Sequence, residues 1–240
     1  MTSNQSGKIS LVTGGTGGLG RAVSLAFLEK GFHVIVSYQI PEEWEALQSA
    51  AGNARKASLE GFSVDVTDDH AVKGLIAGLV TKHGRVDMLV NTVGGYAGGI
   101  KLWELEPKVF EKMLALNLRS GFVLARAVVP VMLKQGSGAI VNVAAKAAFD
   151  HAAGAAAYAA TKAAAVAMMD SLAADLKGTG VRVNSILPSI IDTEANRKAM
   201  PGSDFAKWPQ PEDIAKVILF LCSDDAKVVH GASVPVYGYS

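Results

Sequence analysis

Tyr158 and Lys162 stand four residues apart in Tyr158-Ala159-Ala160-Thr161-Lys162, so on a helix a phenol and an ammonium share one face, a turn apart. A free tyrosine titrates near pH ~10, and a nearby positive charge stabilises its phenolate, which suits the phenol to proton transfer at neutral pH. The pair is a candidate general acid/base with its electrostatic support. The same spacing also occurs on solvated helix faces, so it gains weight only beside a second signal. That signal is Thr13-Gly14-Gly15-Thr16-Gly17-Gly18-Leu19-Gly20, which follows a short apolar run and precedes a stretch of helical period. Glycines there let the chain turn tightly and approach a pyrophosphate, whose charge rests on free N–H groups at a helix N-terminus. Gly14, Thr16, Gly17, Gly18, Leu19 and Gly20 are therefore candidate dinucleotide-binding residues.

Such a turn needs a strand before it and a helix after it, and the chain supplies that alternation throughout. Short runs rich in Val and Ile predict strands at Ile9 to Val12, Val34 to Val36, Phe62 to Asp65, Met88 to Asn91, Ala139 to Val143, Val181 to Ile186 and Ser233 to Val236. Helical period predicts helices at Gly18 to Lys30, near Asp68 to His83, Pro107 to Lys134, Ala156 to Lys177 and Pro211 to Leu221. Thr67 ahead of Asp68 and Asp69 is expected to cap one helix, and Pro211 with Glu212 and Asp213 opens another. Strands this apolar are buried on both sides. The expected fold class is α/β, a single Rossmann-like doubly wound parallel sheet with helices on both faces, spanning 1–240 as one domain.

At 240 residues, with 50% hydrophobic and 19% charged side chains, the chain can bury one substantial core. Its net charge of +1 and the lack of any Lys or Arg run exclude the phosphate-tracking surface of a nucleic-acid binder. Met1 to Ser10 is polar, and no stretch of roughly 18 apolar residues stands out, so no membrane segment is read and a cytoplasmic location is expected. Cys222 is the single cysteine, which rules out an internal disulfide, and the five histidines show no paired ligand spacing such as His-Glu-x-x-His. Chemistry without a metal is expected. The alanine-rich stretch from Ala144 to Ala167 suits close helix packing.

With both motifs in order, the whole chain resembles the short-chain dehydrogenase/reductase family. The resemblance implies a soluble NAD(P)-dependent oxidoreductase in which Tyr158 is the acid/base, Lys162 also contacts the nicotinamide ribose, and Asn117 supports a proton-relay water. It further implies that Asp65 and Val66 contact adenine, that Asn91 and Gly94 line the cofactor, and that the segment with Pro188, Ile191 and Thr193 holds the carboxamide. The chain departs from the family pattern in three segments. The serine expected 13 residues before the tyrosine, where it polarises a substrate carbonyl, is Ala145. Asn91-Thr92-Val93-Gly94 replaces Asn-Asn-Ala-Gly, and Ser189 replaces a glycine.

An alanine at the serine position is similar to dihydropteridine reductases, as are the stretches Gly94 to Gly99, Ala145 to Asp150 and Asp192 to Trp208. Other segments, around Asn117 and Pro235-Val236-Tyr237-Gly238, resemble general carbonyl reductases. Hydride transfer to a conjugated or carbonyl small molecule follows, with a quinonoid dihydropterin as the leading substrate. The alternatives are a general carbonyl reductase or alcohol dehydrogenase, or a non-catalytic NAD(P)-binding sensor, since Ala145 lacks the hydroxyl. Substrate-facing candidates are Ala145, Lys146, Tyr96, His151 and Trp208. For each a plainer reading exists: His151 solvated, Lys146 on the surface, Tyr96 and Trp208 as packing.

Cofactor choice turns on the end of the second strand, Val36-Ser37-Tyr38-Gln39, where no acid excludes a phosphate and no Arg holds one. Both NADP and NAD are expected, with a lean to NADP carried by Ser37 and Tyr38. The helices Pro107 to Lys134 and Ala156 to Lys177 resemble the family's assembly surface, which implies a homodimer or homotetramer.

Overall fold

The alternation resolves into one parallel sheet of seven strands in the order β3-β2-β1-β4-β5-β6-β7. The computed structural model describes residues 7–53 and 55–239; residues 1–6, most of the polar Met1 to Ser10 stretch, lie outside them. The strands are β1 (Ile9–Thr13), β2 (His33–Tyr38), β3 (Leu59–Ser63), β4 (Met88–Asn91), β5 (Gly138–Val143), β6 (Val181–Pro188) and β7 (Ser233–Val236). The helices are α1 (Gly18–Glu29), α2 (Pro41–Ala51), α3 (Asp69–His83), α4 (Pro107–Leu114), α5 (Ser120–Gln135), α6 (Ala156–Asp175), α7 (Glu194–Ala199) and α8 (Pro211–Cys222).

Successive strand residues point to opposite faces, and both faces are apolar. Val12, Val34, Val36 and Val90 meet α1 and α8 on one side. Leu11, Ile35, Leu89 and Ile140 meet α3, α5 and α6 on the other. Burial on both sides holds for the inner strands, whereas β3 and β7 at the edges are only partly buried.

The structure corrects several boundaries. The strand expected at Phe62 to Asp65 is Leu59–Ser63, because the ladder with β2 pairs Val34 with Leu59 and Tyr38 with Ser63. Asp68, not Thr67, caps α3, its carboxylate accepting from His70 N at 2.8 Å and Ala71 N at 3.1 Å. Helix α2 is absent from the sequence reading, although Pro41-Glu42-Glu43 offers the same proline-plus-acid start as Pro211-Glu212-Asp213. The expected helix from Pro107 to Lys134 is broken by a π-helical turn, Ala115–Arg119, between α4 and α5.

Taken as one element, Pro107–Gln135 is long and apolar enough to cross a membrane by length and composition, a feature the sequence reading overlooked. Its hydropathy has a local cause. Val123, Leu124, Val128 and Met132 are buried in the core beneath the sheet.

Strand order reverses between β1 and its two neighbours, β2 and β4, and their C-terminal ends open a crevice there. The glycine turn, Asn91 and the residues after β2 and β3 all fall at that edge.

Candidate active site

The turn from Gly14 to Gly20 lines a cleft of about 360 Å³ together with Ser37, Tyr38, Glu43, Asp65, Val66, Thr92 and Gly94. Gly14 has φ +67°, a left-handed conformation that favours glycine, and its N–H donates to Ser37 Oγ at 3.2 Å. Helix α1 starts at Gly18 with Gly17 as a cap residue that supplies no side-chain hydrogen bond. First-turn N–H groups without a side-chain cap are what a pyrophosphate requires, so the residues present fit a dinucleotide.

Ser37 is buried under the turn, and Tyr38 stacks on Trp44 with centroids 5.4 Å apart. Asp65 is exposed and accepts from Thr67 N and Oγ1, both at 2.8 Å; Val66 beside it is buried. The expected adenine pair thus flanks the cleft. Asn91 is buried as a tie between strands: its Oδ1 accepts from Thr13 Oγ1 at 2.9 Å and its Nδ2 donates to Asn142 Oδ1 at 3.1 Å. Thr92, the departure from the family pattern, donates from Oγ1 to the Thr13 carbonyl at 2.7 Å and so pins β4 to the glycine turn.

One feature bearing on cofactor selection escaped the sequence reading, and it corrects the expectation that no acid stands there. Glu43, in the first turn of α2, accepts from Thr16 Oγ1 at 2.8 Å and places a carboxylate in the cleft. No lysine or arginine is among the cleft's lining residues. The signal for Glu43 was the Pro41-Glu42-Glu43 helix start, which sets an acid one turn beyond Tyr38.

The π-helical turn carries Asn117 inward, and such turns recur at functional sites. Asn117 is buried; its Oδ1 accepts from Gly95 N at 2.9 Å, and its Nδ2 donates to Gly95 O and Thr161 Oγ1, each at 3.1 Å. A Cβ on Gly94 would lie 3.0 Å from Asn117 Oδ1 and 3.1 Å from Lys162 Nζ. Asn117 and Lys162 therefore meet against the backbone of Gly94, and Tyr158 joins them through Lys162, whose Nζ is 6.0 Å from its ring centroid.

Lys162 is buried, donates to Val143 O at 2.9 Å, and is pushed down to about 8 by loss of solvent. Tyr158 is pushed up to about 12, mainly by burial, with the neighbouring Tyr96 adding to it. Tyr96 itself is exposed and meets the Tyr158 ring edge-on at 5.0 Å between centroids.

The other substrate candidates divide. Ala145 is buried at the end of β5 and offers no donor. Lys146 does not fill the space of the missing hydroxyl: its Nζ lies 5.2 Å over the Tyr237 ring and 3.6 Å from Asp150. His151 is exposed, with Nε2 3.2 Å from Ala148 O. Trp208 offers no open face for stacking, because it is buried against Phe205 with centroids 4.9 Å apart.

Pro188 ends β6 buried, Ile191 packs on the core, and Thr193 caps α7 by accepting from Asn196 N at 3.2 Å. A Cβ on Gly18 would be 2.7 Å from Thr193 Cγ2, so this segment folds over the glycine turn. Asp192 anchors it through Arg197 Nη2 at 2.6 Å and Gln210 Nε2 at 2.6 Å, and these hydrogen bonds hold its carboxyl down at about 2. Ser189 donates to Tyr237 O at 2.7 Å.

The family model described as short chain dehydrogenase matches residues 8–204. Among curated proteins, the chain is 35% identical to D-threitol dehydrogenase of Mycolicibacterium smegmatis, covering 97% of this chain and 92% of that one. It is 31% identical to 3-oxoacyl-[acyl-carrier-protein] reductase of Thermotoga maritima, covering 97% of each. Two solved structures superpose with a TM-score of 0.90: ElxO with NADP bound, 27% identical over 97% of this chain and 98% of that one, and NAD+-bound xylitol dehydrogenase, 26% identical over 98% and 100%.

Proposed function

This chain belongs to the short-chain dehydrogenase/reductase family of NAD(P)-dependent oxidoreductases, and from that premise we propose that it transfers hydride between a nicotinamide nucleotide and a carbonyl or alcohol carbon, using Tyr158, Lys162 and Asn117. The carrying observation is that Asn117 and Lys162 close on Gly94, itself a lining residue of the glycine-rich cleft, with the Lys162 ammonium 6.0 Å from the Tyr158 ring centroid. A bound nicotinamide supplies or accepts the hydride.

The chain's own residues manage the proton. Tyr158 holds it on its phenol oxygen, since burial keeps the group protonated, and releases it toward the developing alkoxide. The Lys162 ammonium stabilises the phenolate left behind, and its bond to Val143 O fixes where that charge sits. Asn117 holds the Gly95 strap in position through the Gly95 N–H and carbonyl.

Gly14, Thr16 to Gly20, Ser37, Tyr38, Asp65, Val66, Asn91, Gly94, Pro188, Ile191 and Thr193 form or support the nucleotide cleft in this reading. The relatives include proteins bound to NADP and to NAD. For this chain Glu43 weighs against a ribose phosphate, because a carboxylate at that end of the cleft repels it and accepts hydroxyls instead. NAD(H) is therefore the preferred cofactor, against the lean drawn from Ser37 and Tyr38.

Ala145 favours a second reading of the substrate: a flat conjugated acceptor such as a quinonoid dihydropterin spreads charge over several atoms and depends less on one hydroxyl donor. The relatives named above support the carbonyl or alcohol reading. One assay separates the two. Ketones, polyol-derived carbonyls and a quinonoid dihydropterin are compared with NADH and NADPH; turnover of carbonyl compounds alone supports the first reading, turnover of the pterin alone supports the second, and nucleotide binding without turnover leaves a sensor protein.

One domain, a cytosolic location and assembly as a homodimer or homotetramer complete the proposal. An open groove lined by Leu114, Leu118, Phe122, Ala164 and Met168 on the α4, α5 and α6 face supports the last. A monomer by light scattering at micromolar concentration would remove that part of it.

A further inference from the structure

At the end of the sheet away from the glycine turn, three side chains distant in sequence come together. His33 is the first residue of β2, Glu60 lies in β3, and His83 is the last residue of α3. Glu60 Oε1 is 2.7 Å from His33 Nε2 and 3.2 Å from His83 Nε2, and the candidate ligand atoms all lie within 4.8 Å of one another. The side chains are 21%, 19% and 13% exposed for His33, Glu60 and His83.

The His83 nitrogen is the odd one. Its Nε2 is buried yet makes no hydrogen bond, despite its approach to Glu60. A buried polar atom in that condition is costly unless something else engages it. Lys82 occupies only the other oxygen of the carboxylate, its Nζ 2.6 Å from Oε2, and steadies Glu60 with Oε1 facing the two imidazoles.

We propose that His33, Glu60 and His83 form a site for a divalent transition metal of the zinc class, which ties edge strand β3 to β2 and to the end of α3. A tetrahedral zinc with ligand bonds of about 2.0–2.1 Å sets its ligand atoms roughly 3.3 Å apart; the 3.2 Å between Glu60 Oε1 and His83 Nε2 already matches, whereas His33 at 2.7 Å must draw back and the imidazoles, which with Glu60 lie within 4.8 Å, must adjust around the ion. Two imidazoles and one carboxylate suit zinc, cobalt or nickel, and leave a fourth position for water. Calcium and magnesium favour sets made of oxygen alone and are poor matches. The site is remote from the hydride-transfer cleft, so its role is to stabilise the fold, and it does not depend on the proposed reaction.

The test uses the full-length protein, stripped with a chelator and titrated with zinc chloride by calorimetry. One equivalent is expected, with affinity reduced at least tenfold in both His33→Ala and His83→Ala. Zinc at about one hundred times its Kd is expected to raise the melting midpoint by roughly 5–10 °C. Circular dichroism checks that the variants fold; if either does not, Glu60→Gln takes its place with the same expected loss. Cobalt provides an independent readout, with the intense visible bands of a four- or five-coordinate site expected. Absence of saturable binding, binding unchanged in the variants, or a weak octahedral cobalt spectrum each overturns the proposal.

Discussion

The Lys162 ammonium lies 6.0 Å from the centroid of the Tyr158 ring and 2.9 Å from the carbonyl oxygen of Val143, so the end of β5 fixes the cation that faces the phenol. Replacing Tyr158 with phenylalanine removes the proton donor while leaving the ring and the cation in place. Tyr158→Phe is expected to lose about 10²-fold or more in kcat while binding the nucleotide within about threefold of the native protein. Steady-state rates and a fluorescence titration check the two halves separately. Unchanged turnover removes Tyr158 from the reaction.

The two shifts set a pH dependence. Tyr158, near 12, keeps its proton throughout the ordinary range, whereas Lys162, near 8, loses its charge as pH rises. Reduction is therefore expected to be level below about pH 8 and to fall above it. Stability moves in the opposite sense over part of the same range. The folded lysine binds fewer protons than the unfolded one between about 8 and its ordinary value of 10.5, so its contribution to stability rises with pH through that window. Denaturation of the native protein and of Lys162→Met across this range should differ by that slope; parallel curves would remove the shift.

A Cβ on Gly94 would press against both Asn117 Oδ1, at 3.0 Å, and Lys162 Nζ, at 3.1 Å. Gly94→Ala should displace one or both by a few tenths of an ångström and lower kcat by about 10- to 100-fold with the fold retained. Circular dichroism with kinetics decides it, since native turnover in a folded variant would mean that this contact does not position the pair.

Glu43 gives the cofactor preference a single-residue test. Glu43→Gln keeps an acceptor for Thr16 and removes the charge, so the NADPH to NADH affinity ratio should shift toward NADPH by about tenfold, or ~1.4 kcal/mol. Titration with each nucleotide reads this without any substrate. A ratio that does not move separates Glu43 from cofactor choice, and failure of both nucleotides to bind undermines the cleft assignment itself.

Ala145 is the position where the substrate readings part. Ala145→Ser should raise kcat/KM for simple ketones by about 10- to 100-fold, within the ~3 kcal/mol that one donor to a developing oxyanion contributes. Turnover of a conjugated acceptor should stay level. A ketone rate unaffected by the new hydroxyl would show that another group already fills that role.

Local signals in the sequence were enough for the fold class, and they singled out the glycine turn that lines the cleft. The glycine turn, the apolar strands and the Tyr158-Lys162 spacing each depend on residues within one or two elements, where hydrophobic period and turn chemistry act directly. Even there, pairing with a neighbour moved a boundary: β3 begins at Leu59 because β2 dictates its register. What only the tertiary structure decided are the contacts between distant segments. Thr16 and Glu43 meet because α2 folds back beside the glycine turn, and Asn117 reaches Gly95 and Thr161 because a π-helical turn rotates it inward. Lys146 turned to Tyr237, and Trp208 was drawn into packing, since each found a partner that no spacing announces. The absence of paired histidine spacing likewise described only neighbours along the chain. His33 and His83 are brought to one carboxylate by a sheet edge and a helix end, and an encounter of that kind is a property of packing, which sequence separation does not encode.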